Sequence, residues 1–149
     1  MQQVIDLAVL SAKSGGGPFA AAIVKDNEIV SLEHNSVHID TDPSAHAEVN
    51  AIRKACQVLN TFDLAGYEIY TSCEPCPMCF GAIYWAHLSK VYYAANRHEA
   101  AVAGFDDNAI YREIALPNHQ RSVLFEHVQH PDSLKAFTIW DSLENKIRY

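Results

Sequence analysis

Positive charge is scarce in this sequence. Lys and Arg together number 11 against 18 Asp and Glu, for a formal net charge of −7, and the longest purely basic run is Arg53-Lys54. A chain without a basic stripe is ill suited to nucleic acid, where phosphate neutralisation supplies the affinity. It is equally ill suited to an anionic membrane surface. No apolar stretch approaches the ~20 residues of a membrane helix. Residues 1–12 hold no early cation and mix polar with apolar side chains, unlike a signal peptide. Internal repeats, low-complexity tracts and linkers are missing too. Cysteine is limited to Cys56, Cys73, Cys76 and Cys79. The last three are too cramped for an ordinary disulfide framework, so the expectation is reduced thiols, a cytoplasmic location and a metal.

What is present is a globular composition, 49% hydrophobic and 19% charged. Residues 1–149 fit one domain of the usual ~100–200 residues. Apolar residues in 4–10 predict a first helix, stopped by Gly15-Gly16-Gly17-Pro18. Residues 19–24 and 28–32, split by Asp26-Asn27, predict a hairpin. Residues 34–43 read as loop. Val49, Ile52, Cys56 and Leu59 line one stripe of a helix over 45–60. Strand 67–71, helix 77–87 and strand 90–95 follow. Their alternation implies a parallel crossover and an α/β fold with helices packed on a sheet. A short helix is expected over 108–116, residues 122–128 fit neither period, and Leu134, Phe137, Trp140, Leu143 and Ile147 stripe a final helix. Residues 117–120 are the one plausible hinge, separating a C-terminal arm over 117–149.

The chemistry concentrates in His46-Ala47-Glu48 and Pro75-Cys76-Pro77-Met78-Cys79. Cys76 and Cys79, at i and i+3, share one helix face, so two thiolates can reach one ion. Pro77 suits the first helical position, which makes Cys76 the N-cap. A helix N-terminus lowers thiol pKa and favours the thiolates that zinc needs. In mid-helix, residues two apart point about 200° from one another. His46 and Glu48 therefore converge only at a helix start, where Pro43-Ser44 puts them. Three ligands, His46, Cys76 and Cys79, leave the fourth tetrahedral position to a catalytic water, and Glu48 is left as the proton carrier. Cys73 keeps the spacing of a fourth ligand, but a small buried residue at a strand end is the plainer reading. Cys56 falls on an apolar stripe and reads as core. The remaining histidines, His34, His38, His87, His98, His119, His127 and His130, lack a paired ligand and read as surface or structural residues.

The His-x-Glu and Pro-Cys-x-x-Cys pair is the known signature of zinc deaminases, matched here rather than derived. On it, the chain resembles the cytidine deaminase superfamily. The longer segment from Thr71 to Cys79, Gly81-Ala82-Ile83-Tyr84-Trp85-Ala86, Gly17-Pro18-Phe19, Asp42-Pro43, Gly104-Phe105-Asp106-Asp107 and a terminal Tyr resemble its bacterial guanine deaminase branch. The resemblance runs from about Gly17 to the last residue. It implies a three-layer α/β/α sandwich with a five-stranded mixed sheet, and one zinc per subunit. It implies a homodimer in which residues 117–149 are exchanged to close the neighbour's site. It implies hydrolytic deamination of guanine to xanthine and ammonia, with a purine base as small-molecule partner. Asn35, Ala47 (through its backbone N–H), Asp107 and Tyr149 match substrate-binding positions. Each has a plainer alternative: a turn Asn, a spacer, a helix cap and a loose terminus. Phe19 and Trp85 can stack on the base, or simply pack in the core.

Two readings compete with guanine. One is another deaminase, acting on cytosine or a related small aminated base, or less readily on tRNA adenosine given the acidic charge. The other is a non-catalytic, zinc-stabilised interaction module, against which an unligated Glu48 argues. Two features stay unassigned: Gly15-Gly16-Gly17 is more glycine than a loop needs, and Asn96-Arg97-His98-Glu99 matches no function.

Overall fold

A computed structural model of the chain describes residues 1–148; Tyr149, expected at the substrate, lies outside the described residues. The chain divides into two compact units, residues 1–108 and residues 109 onward.

The first unit opens with α1 (Gln2–Lys13), then a hairpin of β1 (Ala20–Lys25) and β2 (Glu28–His34). Asp26 and Asn27 both take positive φ, 50° and 65°, the conformation a two-residue hairpin turn demands. Next come α2 (Val37–Asp40), α3 (Ala47–Leu59), β3 (Glu68–Cys73), α4 (Pro77–Trp85), β4 (Lys90–Ala95) and α5 (Arg97–Val102). The strands form one mixed sheet in the order β2-β1-β3-β4. β1 is antiparallel to β2 and β3, while β3 and β4 run parallel.

Alternation along β1 builds two cores. Ala21 and Ile23 face Ala47, Ala51, Ala55, Leu64, Ile69 and Ile83, which seats α3 and α4 on one side. Ala20 and Ala22 face Val4 and Ala8 of α1 on the other. These are the three layers. The run of alanines lets helix and sheet approach closely, so volume changes here are felt directly. Cys56 packs against the first core, as its stripe predicts.

The sheet has four strands, not the five expected. Residues 122–128 form no strand: Val123, Leu124, Phe125 and Val128 are exposed and no ladder pairs their backbone. The regular structure of the second unit is helical. It holds α6 (Asn108–Ala115), a 3-10 turn (Asn118–Gln120) at the expected hinge, and α7 (Lys135–Ser142). α6 ends on a cation, with Arg121 Nε donating to the carbonyls of Glu113 and Leu116 at 3.1 and 3.0 Å. α7 is shorter than the stripe to Ile147 predicted, because Leu143 turns extended. Among the described residues no helix is long and apolar enough to cross a membrane.

Candidate active site

Strand direction decides where chemistry can gather. β1 is antiparallel to both its neighbours and β4 is parallel to β3, so β2, β3 and β4 point the same way. Their C-terminal ends and the start of β1 therefore share one edge of the sheet, the edge where α/β folds place ligands. Four segments leave from it: Phe19 before β1, Asn35 after β2, residues 74–79 after β3 and residues 96–107 after β4.

Each is tied down by backbone bonds. The amide of Asn35 donates to Phe19 O at 3.0 Å, and that of Glu74 to Ala95 O at 2.8 Å. The amide of Arg97 donates to the Glu74 carboxylate at 3.0 Å. Ahead of α3, Asp42 Oδ1 accepts from both the amide and the hydroxyl of Ser44 at 2.7 Å. Those bonds hold the Asp42 carboxyl below the usual range. The His46 amide donates to Ser44 O at 2.8 Å. The side-chain amide of Asn50, one turn beyond His46, faces His34 O, Ser36 Oγ and Ala45 O at 3.1, 2.9 and 3.3 Å. It ties the β2 end to the residue before His46. Sequence reasoning missed Asn50; the available signal was a polar residue one helical turn past a ligand.

Two helix N-termini then meet. His46 is the N-cap of α3, with Ala47 and Glu48 in its first turn, and Cys76 is the N-cap of α4, with Pro77 next. His46 Nδ1 lies 3.5 Å from Cys76 Sγ and 3.6 Å from Cys79 Sγ, and the two sulfurs are 3.6 Å apart. A tetrahedral zinc, with Zn–S about 2.3 Å and Zn–N ~2.05 Å, separates sulfur from nitrogen by about 3.6 Å and sulfur from sulfur by about 3.8 Å. The observed triangle fits those edges within about 0.2 Å, so the donor set suits zinc in both type and size. Among the described residues this is the group of His, Cys, Asp and Glu that could hold a metal ion.

Glu48 sits outside that triangle, at 8% exposure. Burial holds its carboxyl above the ordinary carboxylate range and the Cys76 charge adds to this, while the bond from the Cys79 thiol pulls the other way. The thiol pair is strongly polarised: the contact between the two sulfurs pushes the Cys76 pKa down to about 4, while that of Cys79 goes up. The bond to Cys76 raises His46. Cys73 ends β3 buried, its thiol aimed at Asn96 O at 3.9 Å, and burial pushes it up to about 11. It does not join the triangle.

The expected substrate residues surround this centre unequally. Asn35 ends the β2 segment with 8% exposure, its Oδ1 accepting from Val37 N at 3.3 Å. Ala47 is buried as the first helical residue, where an amide has no acceptor within the helix. Asp106 takes the cap of α6, accepting from the Asn108 amide at 2.9 Å. This leaves the Asp107 carboxyl for other work. Burial raises the Asp107 pKa, and the nearby Cys76 charge raises it further. Phe19 meets Phe105 edge-to-face at 4.8 Å. Trp85 is 67% exposed at the C-terminus of α4, about 13 Å along the helix from Cys76. It does not pack in the core. The unassigned Asn96–Glu99 stretch is a capping box: Asn96 Oδ1 accepts from the amides of His98 and Glu99, and Glu99 accepts from Asn96 N at 2.7 Å.

The family model for the cytidine and deoxycytidylate deaminase zinc-binding region matches residues 1–95. This chain belongs to that deaminase family. It is 48% identical to guanine deaminase of Bacillus subtilis over 150 aligned residues, spanning 100% of this chain and 96% of that protein. The X-ray structure of that guanine deaminase superposes with a TM-score of 0.96, covering 99% and 95% of the two chains. The structure of guanine deaminase from Nitrosomonas europaea matches at 33% identity and TM-score 0.66, covering 71% and 62%. A tRNA-specific adenosine deaminase of Aquifex aeolicus is 44% identical over 63% of this chain and 64% of its own length. That of Bacillus subtilis is 33% identical over 83% and 76%. The deaminase family thus accounts for the donor triangle.

Proposed function

We propose that this deaminase converts guanine and water to xanthine and ammonia. The observation that carries the substrate is identity combined with coverage: likeness to a guanine deaminase holds at 48% through the whole chain, against 44% over 63% and 33% over 83% of it for two tRNA-specific deaminases. The segments beyond the zinc-binding region, which include Asp107, are where a base would be told apart.

His46, Cys76 and Cys79 would hold one zinc per subunit, with the fourth position left to water. When bound, zinc supplies the Lewis acidity that makes a water nucleophilic at neutral pH. The chain's own residues do the rest. Burial raises the Glu48 pKa above the ordinary carboxylate range, the direction that favours a carboxyl which both accepts and returns a proton. Glu48 takes one proton from the water as oxygen adds to the carbon bearing the amino group and passes it to the adjacent ring nitrogen. It then takes the second proton from the new hydroxyl and delivers it to the amine as that C–N bond breaks, leaving a carbonyl and ammonia. The Asn35 amide can donate to and accept from a lactam edge. The Ala47 amide offers a second donor, and the Asp107 carboxylate accepts from the N–H groups of guanine. The Phe19 ring, braced by Phe105, forms an apolar wall for the base.

Along the second unit Val123, Leu124, Val128, Leu134 and Phe137 are exposed in the single chain. Such an apolar run calls for cover. A homodimer in which this arm closes the partner's site supplies it, and brings Tyr149 there. The four cysteines are all free, which fits a reducing, cytoplasmic setting.

The test is ammonia release by zinc-loaded protein from guanine, cytosine, adenine, cytidine, adenosine and guanosine. Turnover of guanine alone is expected. Turnover of another base with silence on guanine overturns the substrate. Silence on all six with zinc bound overturns the enzymatic reading.

A further inference from the structure

Gly15-Gly16-Gly17 is more glycine than helix termination needs, and the structure gives two of the three a steric reason. Ser11, buried in the last turn of α1, donates from Oγ to Gly17 O at 2.8 Å and accepts at its carbonyl from Gly16 N at 2.9 Å. A Cβ on Gly16 would stand 2.6 Å from Ser11 Oγ. The loop is thus pinned flat against the helix end. On its other side, a Cβ on Gly17 would stand 2.9 Å from both Cγ and Oδ1 of Asn35, and its three nearest atoms all belong to that side chain. Gly17 is not among the glycines with positive φ. Its backbone would accept a side chain, and the nearest obstacle is Asn35. Asn35 cannot retreat as a unit, because its amide is bonded to Phe19 O at 3.0 Å and its carbonyl accepts from His34 Nδ1 at 2.9 Å.

We propose that Gly17 is a positioning residue: its bare Cα, backed by Ser11, is the wall on which the Asn35 amide rests, and it sets the direction in which that amide meets the substrate. This inference rests on the reading of Asn35 as a substrate contact. A methyl group at residue 17 would force the Asn35 side chain to rotate about its fixed backbone, leaving the zinc ligands and Glu48 untouched.

The experiment is a double-mutant cycle with Gly17→Ala and Asn35→Ala. Turnover of guanine, calorimetric binding of 8-azaguanine, zinc content and thermal unfolding are read on all four proteins. Gly17→Ala alone is expected to lower kcat/KM and analogue affinity about ten- to a hundredfold, the scale of one misdirected hydrogen bond. Zinc content stays at the wild-type level. Because φ is compatible with alanine, the midpoint of unfolding stays within about 3 °C. In the Asn35→Ala background the same glycine substitution should change kcat/KM less than about twofold, since the side chain it displaces is gone. Equal losses in both backgrounds overturn the proposal, as does wild-type kinetics for Gly17→Ala alone. If Asn35→Ala itself turns over and binds as wild type does, the substrate role of Asn35 falls, and the positioning role with it. The single Asn35 variant separates that outcome from the others.

Discussion

Replacing Glu48 with Gln tests the centre of the proposed chemistry. The side chain keeps its length and two polar atoms but can no longer carry a proton. A positioned general acid–base group is worth about 10²–10⁴ in rate, or roughly 2.7–5.5 kcal/mol of barrier. The upper half of that range is expected here for two structural reasons. Glu48 is 8% exposed, so bulk water cannot easily substitute for it. Its raised pKa brings it nearer the working pH than an ordinary carboxyl. Zinc content should not change, because the ligand triangle is complete without this residue. Stability should not fall, because the variant no longer buries a group that desolvation penalises. The assay is steady-state ammonia release on guanine alongside metal analysis and thermal unfolding of both proteins. A Glu48→Gln enzyme within threefold of wild type, zinc bound, would refute the proton-carrier role. Loss of activity together with loss of zinc would instead make Glu48 a ligand.

Three shorter tests follow from the same geometry. With the Cys73 pKa near 11, only about 0.1% of that thiol is ionised at pH 8. A chelator should therefore release one fast-reacting thiol to a disulfide reagent at pH 8, Cys76, whose pKa is pushed down to about 4, with Cys79, whose pKa goes up, lagging behind it. Cys73 should respond only as the pH climbs toward 11, and mass mapping that finds it among the first labelled would contradict this. Asn96→Ala removes the acceptor of two amides at the start of α5. It should cost about 1 kcal/mol, read calorimetrically as a fall of roughly 2–4 °C in Tm. Asp107→Asn should lower kcat/KM for guanine about ten- to a hundredfold, mainly through KM, with zinc content unchanged; an unchanged KM would remove Asp107 from base recognition.

The metal centre was legible because its residues are local and chemically rare. Cys76-Pro77-x-Cys79 specifies its own helix start, and the His46-x-Glu48 spacing makes sense only at another. Both N-caps occur where the spacing puts them. The hairpin and the parallel pair were legible for a similar reason: their signals, Asp26-Asn27 and a strand–helix–strand alternation, act over a few residues. The fifth strand was different. It came from resemblance and not from residues 122–128, whose apolar side chains carry no alternation. Among the described residues no strand pairs with them, and Val123, Leu124, Phe125 and Val128 are exposed.

The features that escaped reading share another property: each is a contact between segments far apart in sequence. Asn50 reads as one more polar helix residue until β2 arrives beside it and gives its amide acceptors in His34 and Ser36. Gly17 reads as loop filler until Asn35, eighteen positions on, comes within 2.9 Å of where a Cβ would be. Asn96-x-x-Glu99 is the exception. It is a complete capping box within four residues, a helix-start signal that carries no catalytic chemistry. A residue's type announces the chemistry it can do, and short spacings announce local geometry. Which residue aims another across the sheet edge is written only in the packing. For this deaminase, substrate orientation is therefore the part of function that mutagenesis around Asn35 has to supply.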